Sequence, residues 1–286
     1  MQILIWIILL AAACYLIAIL PSLRRCPDME RLRAVRYAHR GLFDNSGDAP
    51  ENSMRAFRRA VEAGYGIELD VQLTSDGVPV VFHDFLLARV ARDADSRPVS
   101  GKVCDYTLAQ LQEFHLMNSA KRIPVFADVL GLIGGRVPMI MELKIENSDR
   151  RLAVCTAADA LLQHYSGLYC MESFNPRGVQ WYRRMRPQII RGQLSDEFNR
   201  EDPSHRSLLN FACANLLFNF LTRPDFIAYN VSYPHNPSRM LCRNLYHCTA
   251  VAWTIRSDQQ MAEAEKQFDL FIFDSFVPAG GPAAAA

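Results

Sequence analysis

Residues 66–72 constrain the fold more than any other stretch, because apolar residues alternate there with Glu68 and Asp70 in the sequence GIELDVQ. This two-residue period predicts a β-strand with both carboxylates on one face. The alternative to a functional site is an ordinary half-buried strand, on which the face that carries the carboxylates would be exposed to solvent. A second strand-like stretch carries Glu142 and Lys144 on one face, and like charges held close together need a counter-charge or a proton. A divalent cation bound by Glu68, Asp70 and Glu142 would meet that need, because Mg²⁺ and Ca²⁺ prefer oxygen ligands.

Strand-like and helical segments alternate along the rest of the chain. The predicted strands cover residues 34–38, 66–72, 78–82, 139–143, 169–173, 189–193, 226–229, 250–255 and 270–273. The predicted helices include residues 53–63, 107–114, 151–164 and 259–266. The alternation predicts an α/β fold with a parallel sheet and helices outside it, and a TIM-type (β/α)8 barrel suits a chain of 286 residues.

The barrel is expected to be irregular near its second and third strands. The link between them is too short for a parallel crossover, which needs about a dozen residues or more. The pair is therefore either a hairpin or an extended return without a helix. Nine strand candidates are also one more than the barrel needs, so one of them must lie outside it.

Five short motifs occur in order and together resemble the glycerophosphodiester phosphodiesterase family. They are His39-Arg40-Gly41, Pro50-Glu51-Asn52, Glu68-Leu69-Asp70, His83-Asp84 and Glu142-Leu143-Lys144. Further matches are Ser173-Phe174, Trp253-Thr254-Ile255 and residues 271–274, so the similarity extends from about residue 35 to about residue 275. The family's last strand usually ends in Thr-Asp, whereas this chain has Phe273-Asp274.

The resemblance implies a TIM-type barrel that uses Mg²⁺ or Ca²⁺ to hydrolyse glycerophosphodiesters to glycerol phosphate and an alcohol. It implies catalytic roles for His39 and His83, phosphate binding by Arg40 and Lys144, supporting roles for Glu51, Phe174 and Trp253, and metal binding by Glu68, Asp70 and Glu142. Histidine titrates near neutral pH and suits either acid or base catalysis, so the assignment of the two roles stays open. Purely structural roles would also explain several of these residues. The two histidines could be ordinary residues at strand ends, Glu142 and Lys144 could form an ion pair, and Phe174 and Trp253 could pack in the core.

Residues 3–20 carry no charge and predict an N-terminal helix. At about 1.5 Å per residue, such a helix approaches the roughly 30 Å hydrocarbon core of a bilayer. We interpret residues 1–23 as an uncleaved membrane anchor, because no Lys or Arg precedes the apolar run; the alternatives are a cleaved signal peptide or a lipoprotein signal at Cys14. Five arginines follow within residues 24–36. The positive-inside rule then predicts a single-pass membrane protein with a cytoplasmic catalytic domain.

The rest of the chain is divided into a basic linker over residues 24–34, a barrel over residues 35–277 and a flexible tail over residues 278–286. Seven cysteines lie outside the N-terminal helix and none forms a Cys-x-x-Cys motif, which indicates free thiols in a reducing compartment. The net charge of +1 gives no indication of nucleic-acid binding.

Residues 207–221 are apolar apart from a few polar side chains, chiefly three asparagines. They predict either a helix packed on the barrel core or an apolar lid that touches the membrane. The second reading would favour a phospholipase-D-like activity on lysolipids over hydrolysis of soluble glycerophosphodiesters. A non-catalytic, membrane-tethered binding protein is the remaining alternative, although binding alone would not require both His39 and His83.

Overall fold

The computed structural model describes residues 1–146, 149, 151–201 and 206–283, with only the backbone for residues 200 and 201. The strands are β1 (Tyr37–His39), β2 (Gly66–Leu73), β3 (Pro79–Val81), β4 (Ala91–Arg92), β5 (His115–Leu116), β6 (Met139–Leu143), β7 (Tyr169–Ser173), β8 (Arg191–Ser195), β9 (Phe226–Asn230), β10 (Thr249–Ile255) and β11 (Leu270–Phe273).

The helices lie mainly between these strands. They are α1 (Gln2–Ala18), α2 (Asp28–Arg33), α3 (Met54–Ala63), α4 (Leu108–Leu111), α5 (Phe126–Ile133), α6 (Ala153–Leu162), α7 (Pro176–Met185), α8 (Phe198–Glu201), α9 (Leu208–Ala214), α10 (Asn219–Thr222), α11 (Pro237–Asn244) and α12 (Asp258–Ala264). Short 3-10 helices lie at Leu87–Arg89 and Val103–Asp105.

Within the described residues, eight parallel strands close into a barrel, in the order β1, β11, β10, β9, β8, β7, β6 and β2. The barrel closes because β1 pairs with both β11 and β2. This confirms the predicted TIM-type barrel. The surplus strand candidate is β3, which runs antiparallel to β2 outside the barrel. The link between the second and third strands is therefore the hairpin.

The first barrel helix shows how local sequence sets the boundaries of an element. Helix α3 begins after Ser53, whose side-chain oxygen accepts a hydrogen bond from the Ala56 N–H. A cap of this kind stabilises a helix by about 1 kcal/mol. The helix ends at Gly64, which has a φ of 79°, a conformation that glycine adopts without a steric cost. Phe57 and Val61 lie on one face and are buried against the sheet.

The segment predicted to be a basic linker contains the short helix α2. Met29 and Leu32 are three residues apart on its inner face, and both are buried against Tyr37 in the cluster at the amino-terminal end of the barrel. The Tyr37 hydroxyl also donates to the Leu32 carbonyl at 2.9 Å. The predicted linker segment is thus partly helical and packed on the barrel, because two apolar residues at helical spacing lie among its four arginines.

Part of the segment predicted to be a tail pairs with residues near the start of β1. Arg36 donates from its backbone to the Pro282 carbonyl at 2.8 Å, and Val35 forms a bridge with Ala283. These pairings fasten residues 282–283 beside the start of β1. Residues 284–286 of the predicted tail lie outside the described residues.

Residues 207–221 do not form a single helix but contribute α9 and α10. Leu216 between them has a φ of 57°, and the Asn215 side chain donates to the Phe211 carbonyl at 2.9 Å. Such local side-chain bonds compete with helix continuation. At the amino terminus, α1 has 17 residues. Across the described part of the chain, the structure contains no helix whose length and apolar character would let it cross a membrane.

Candidate active site

Three predicted metal ligands meet inside the barrel near the carboxyl ends of its strands. Glu68 and Asp70 lie on β2, and Asp70 is paired in register with Glu142 on β6. One carboxylate oxygen from each residue lies within 4.8 Å of the other two. All three residues are buried. Asp70 and Glu142 are 72 positions apart in the sequence. The two-residue period on β2 and the register of β2 with β6 bring them together.

The donor set of this cluster fits a hard divalent cation. Among the described residues, Asp70 Oδ1 accepts no hydrogen bond although it is buried, and Lys144 Nζ lies 3.6 Å from it. Burial and the neighbouring charges of Asp70 and Glu142 raise the pKa of Glu68 well above its usual range. Oxygen ligands with an unused lone pair and unrelieved negative charge are what Mg²⁺ or Ca²⁺ requires.

Glu172 is a fourth carboxylate that the sequence analysis did not select. It lies on β7 in register with Glu142, and its Oε2 atom has no hydrogen-bond partner in the described residues. Burial, followed by the charges of Glu142 and Asp70, raises the pKa of Glu172. Glu172 is therefore a fourth buried carboxyl of the cluster, and it holds its proton more tightly than an exposed glutamate does.

We expect the free energy of unfolding of the metal-free protein to fall as the pH rises above about 4.5, the usual pKa of a glutamate. The pKa of Glu68 is raised above 4.5, its usual value, so the folded state holds the proton more tightly than the unfolded state. The stabilisation is complete below the unfolded pKa and is lost as the pH rises through the folded pKa. Each such carboxyl contributes a slope of up to about 1.4 kcal/mol per pH unit.

Denaturant unfolding in excess chelator at several pH values measures this slope. Asp70 adds nothing to it in this range, because its pKa is lowered from 3.8 and it titrates in more acidic solution. Added Ca²⁺ or Mg²⁺ should remove the decline, and Glu68→Gln should reduce it. A free energy of unfolding that stays constant across this range in chelator would contradict the expectation.

His39 ends β1 and faces the carboxylate cluster. Its Nδ1 atom lies 2.8 Å from Asp274 Oδ2, and its Nε2 atom lies 3.9 Å from Glu68 Oε2. Burial, and then the charge of Arg40, lowers the pKa of His39 to about 4. A neutral imidazole that donates from Nδ1 to Asp274 keeps a lone pair on Nε2. Asp274 follows β11, the strand that pairs with β1 at the barrel closure.

His83 follows β3 and is held by its own neighbour. Its Nδ1 atom lies 2.5 Å from Asp84 Oδ1. The Gln72 side chain donates to the carbonyls of Phe82, His83 and Asp84 at distances of 2.7 to 3.2 Å. Gln72 lies on β2 beside the metal-ligand candidates, so the strand that carries Glu68 and Asp70 also positions the loop that carries His83.

Arg40 is oriented by an unusual backbone turn. It has a φ of 58° and the following Gly41 a φ of 82°. A Cβ atom on Gly41 would lie 2.8 Å from the Ala56 carbonyl carbon, so glycine is required there. The turn lets the Arg40 N–H donate to Glu68 Oε2 at 3.0 Å. A left-handed conformation for arginine is costly, and such strain concentrates at functional sites.

A chain of ion pairs connects Arg40 with His83. Arg40 Nη1 donates to Glu51 at 2.7 Å, and Arg89 donates to both Glu51 and Asp84. Burial opposes ionisation of Glu51, but the hydrogen bonds from Arg89 and the charge of Arg40 lower its pKa to about 2. Glu51 therefore stays charged and holds two arginines in place.

Several donors remain available at this end of the barrel. Within the described residues, Arg40 Nε and Trp253 Nε1 are buried without hydrogen-bond partners. The ring of Phe174 lies 5.6 Å from that of Trp253, and Lys144 Nζ lies 5.9 Å from the centroid of the Phe174 ring. An anion that entered here would meet two cations and an indole N–H, a set suited to a phosphate group.

The structure brings all ten predicted site residues to the same end of the barrel or to the loops that support it. Sequence reasoning missed the contributions of Arg89, Gln72 and Glu172. Gln72 follows Glu68 and Asp70 at the same two-residue spacing on β2, and this spacing could have indicated that its side chain shares their face. Arg89 lies in an irregular stretch that gave no local signal. Its role depends on contacts with Glu51, 38 positions away in the sequence, and with Asp84, 5 positions away.

Comparison with known proteins agrees with this geometry. Residues 39–274 match the model of the glycerophosphoryl diester phosphodiesterase family. A glycerophosphodiester phosphodiesterase of Caldanaerobacter subterraneus subsp. tengcongensis is 38% identical over 68% of this chain and 80% of its own length. A Bacillus altitudinis protein of the same name is 38% identical over 54% of this chain, and the match spans only 63% of that relative.

A similar solved structure supports the fold. It is an Oleispira antarctica phosphodiesterase in complex with the product sn-glycerol-3-phosphate, with a TM-score of 0.66, 22% identity, and coverage of 83% of this chain and 92% of the other. At this identity the likeness concerns the fold alone. The family match covers most of the chain and includes both histidines and the three carboxylates. The chain therefore belongs to the glycerophosphoryl diester phosphodiesterase family.

Proposed function

We propose that this protein hydrolyses glycerophosphodiesters to glycerol phosphate and an alcohol in a reaction that depends on a divalent cation. The observation that carries the proposal is the placement of His39 beside the buried carboxylates Glu68, Asp70 and Glu142, with His83 on the loop anchored to the same strand. A cation centre with two histidines suits phosphodiester hydrolysis, which needs one group to accept a proton and another to donate one. The family match supports the same chemistry.

In this proposal the chain's own residues bind and orient the substrate. Arg40 and Lys144 hold the phosphate, and Glu51 orients Arg40 through their 2.7 Å hydrogen bond. One histidine takes a proton from the attacking hydroxyl, and the other protonates the leaving alcohol oxygen. The attacking hydroxyl belongs either to the glycerol, through a cyclic phosphate, or to water. Glu68, Asp70 and Glu142 would hold Mg²⁺ or Ca²⁺, which would polarise the phosphate.

An assay of the full chain against a panel of glycerophosphodiesters, with and without chelator, tests the proposal. We expect glycerol phosphate to be released and the release to stop in chelator. Binding of these diesters without turnover in the presence of Mg²⁺ or Ca²⁺ would favour the non-catalytic binding protein instead.

We also propose that α1 attaches the protein to a membrane, with the barrel on the cytoplasmic side. The helix has no buried residue and exposes Ile3, Trp6 and Leu10, among other apolar side chains. Arg24 and Arg25 follow it closely, and basic residues on one flank of an apolar helix favour a cytoplasmic position for that flank.

Cell fractionation tests this attachment. We expect the full chain to stay with carbonate-washed membranes and a variant without residues 1–23 to be released. A reporter that is active only in the cytoplasm should give signal when fused after Ala286. Full-length protein in the soluble fraction would contradict attachment, and a signal only from a reporter active outside the membrane would reverse the orientation.

A further inference from the structure

Glu172 lies in the same layer of the barrel as two of the candidate metal ligands. Asp70 on β2 is in register with Glu142 on β6, and Glu142 is in register with Glu172 on β7. Residues in register on neighbouring parallel strands point to the same face of the sheet, and such strands are about 4.8 Å apart. The three carboxylates therefore form a row across three consecutive strands.

The packing of β7 shows that Glu172 points into the barrel. Side chains two positions apart on a strand share a face, and Cys170 belongs with Phe226 to the apolar cluster at the amino-terminal end of the barrel. Met171 packs instead in the cluster between the sheet and the outer helices. Glu172 is 1% exposed, so its carboxyl group is enclosed by the barrel interior.

The interior around Glu172 is apolar except on the side of the carboxylate cluster. Cys170 lies below it on the same face of β7, and Gly192 of β8 is in register with it. The ring of Phe226 fills the space beside that glycine, because a Cβ atom on Gly192 would lie 2.1 Å from a ring carbon. Within the described residues, Glu172 Oε2 accepts no hydrogen bond. The buried and unpaired oxygen therefore has the candidate cation site as its polar neighbour.

The two cations of the site are held by other carboxylates. Lys144 Nζ lies 2.9 Å from Glu142 and 3.6 Å from Asp70, and Arg40 Nη1 donates to Glu51 at 2.7 Å. In the described part of the chain, neither forms an ion pair with Glu172. A buried carboxylate needs a positive charge or hydrogen-bond donors to offset the loss of solvent, and a divalent cation at the adjacent carboxylates would supply that charge.

We propose that Glu172 is a fourth carboxylate ligand of the cation and that it makes the site prefer Ca²⁺ over Mg²⁺. This inference rests on the cation site of the proposed function. Ca²⁺ accepts about six to eight oxygen ligands in flexible geometry, whereas Mg²⁺ needs a near-ideal octahedron, keeps several waters and binds about one or two carboxylates. Four carboxylates that converge from β2, β6 and β7 therefore favour the larger ion. As at other metal sites, the carboxyl releases its proton when the cation binds.

Calorimetric titration of the full chain with Ca²⁺ and with Mg²⁺ tests the proposal. We expect the Kd for Ca²⁺ to be at least about tenfold lower than the Kd for Mg²⁺. Glu172→Gln keeps the size of the side chain but removes its charge. Loss of a group that only supports a metal ligand costs about 10- to 100-fold in affinity, so this variant should weaken Ca²⁺ binding at least as much. Mg²⁺ binding should weaken less, and the preference for Ca²⁺ should fall.

Glu172→Asp separates ligation from charge. Aspartate keeps the carboxylate but draws it back by one methylene, so this variant should also lose Ca²⁺ affinity. Full affinity in Glu172→Asp together with a loss in Glu172→Gln would show that Glu172 acts through its charge alone, which would overturn the proposal. Glu62→Gln, at an exposed position of α3, is the control and should leave both Kd values unchanged. Denaturant unfolding in chelator checks that each variant folds, and Glu172→Ser serves if one of them does not.

The titrations need no turnover, so they separate this inference from the proposed function. Hydrolysis that stops in chelator, with both Kd values unchanged in Glu172→Gln, would overturn the fourth ligand and leave the proposed function intact. Ca²⁺ binding that depends on Glu172, without hydrolysis of any diester, would overturn the proposed function and retain the fourth ligand. Tighter binding of Mg²⁺ than of Ca²⁺ by the unmodified protein would contradict the preference.

Discussion

Glu68→Gln should lower kcat of glycerophosphodiester hydrolysis by about a thousandfold and abolish measurable cation binding, because Lewis-acid stabilisation by a metal amounts to several kcal/mol and each 1.36 kcal/mol is tenfold in rate. Glutamine keeps the size of the side chain and one oxygen, but it offers a cation no negative charge. Calorimetric titration with Ca²⁺ and Mg²⁺, beside steady-state kinetics, measures both effects.

The fold should survive this substitution. Glu68 is buried beside Asp70 and its pKa is raised by burial and by that neighbour, so a neutral side chain relieves repulsion in the metal-free protein. The free energy of unfolding in chelator should therefore match or exceed that of the unmodified protein at neutral pH. Glu62→Gln, at an exposed position of α3, is the control and should change neither quantity. Activity that persists in Glu68→Gln after exhaustive chelation would remove the cation from the proposed reaction.

His39→Ala and His83→Ala should each lower kcat by about 10²- to 10⁴-fold, the usual contribution of a positioned acid or base. KM should change much less, because Arg40 and Lys144 remain to hold the phosphate. Each variant should also lose one limb of a bell-shaped pH profile. His164→Ala is the matched control, since His164 is exposed outside the site and its loss should leave the kinetics unchanged.

A substrate with a good leaving group then assigns the two roles. A nitrophenyl ester needs no protonation of its leaving oxygen, so the variant that lacks the acid should be rescued on it and the variant that lacks the base should not. Both histidines hold a carboxylate at Nδ1, so the hydrogen-bond geometry does not distinguish them. Near-normal turnover of a natural diester by both variants would contradict acid–base catalysis and would make these residues ordinary strand-end histidines.

Local patterns in the sequence were sufficient for most elements of the barrel. The predicted strands over residues 139–143, 169–173 and 270–273 have the same bounds as β6, β7 and β11. The period of two on β2 correctly placed Glu68 and Asp70 on one face. Such patterns work because the direction of a side chain depends on residues a few positions away.

Contacts between distant parts of the chain decided the rest. The packing of α2 against Tyr37 at the amino-terminal end of the barrel and the ion pairs of Arg89 have no signature in any short segment. The clearest example is His39, whose partner Asp274 lies 235 residues away and reaches it only because β1 and β11 pair when the barrel closes. The sequence by itself determined which residues share a strand face, whereas closure of the sheet determined which faces meet, because that depends on packing summed over the whole barrel.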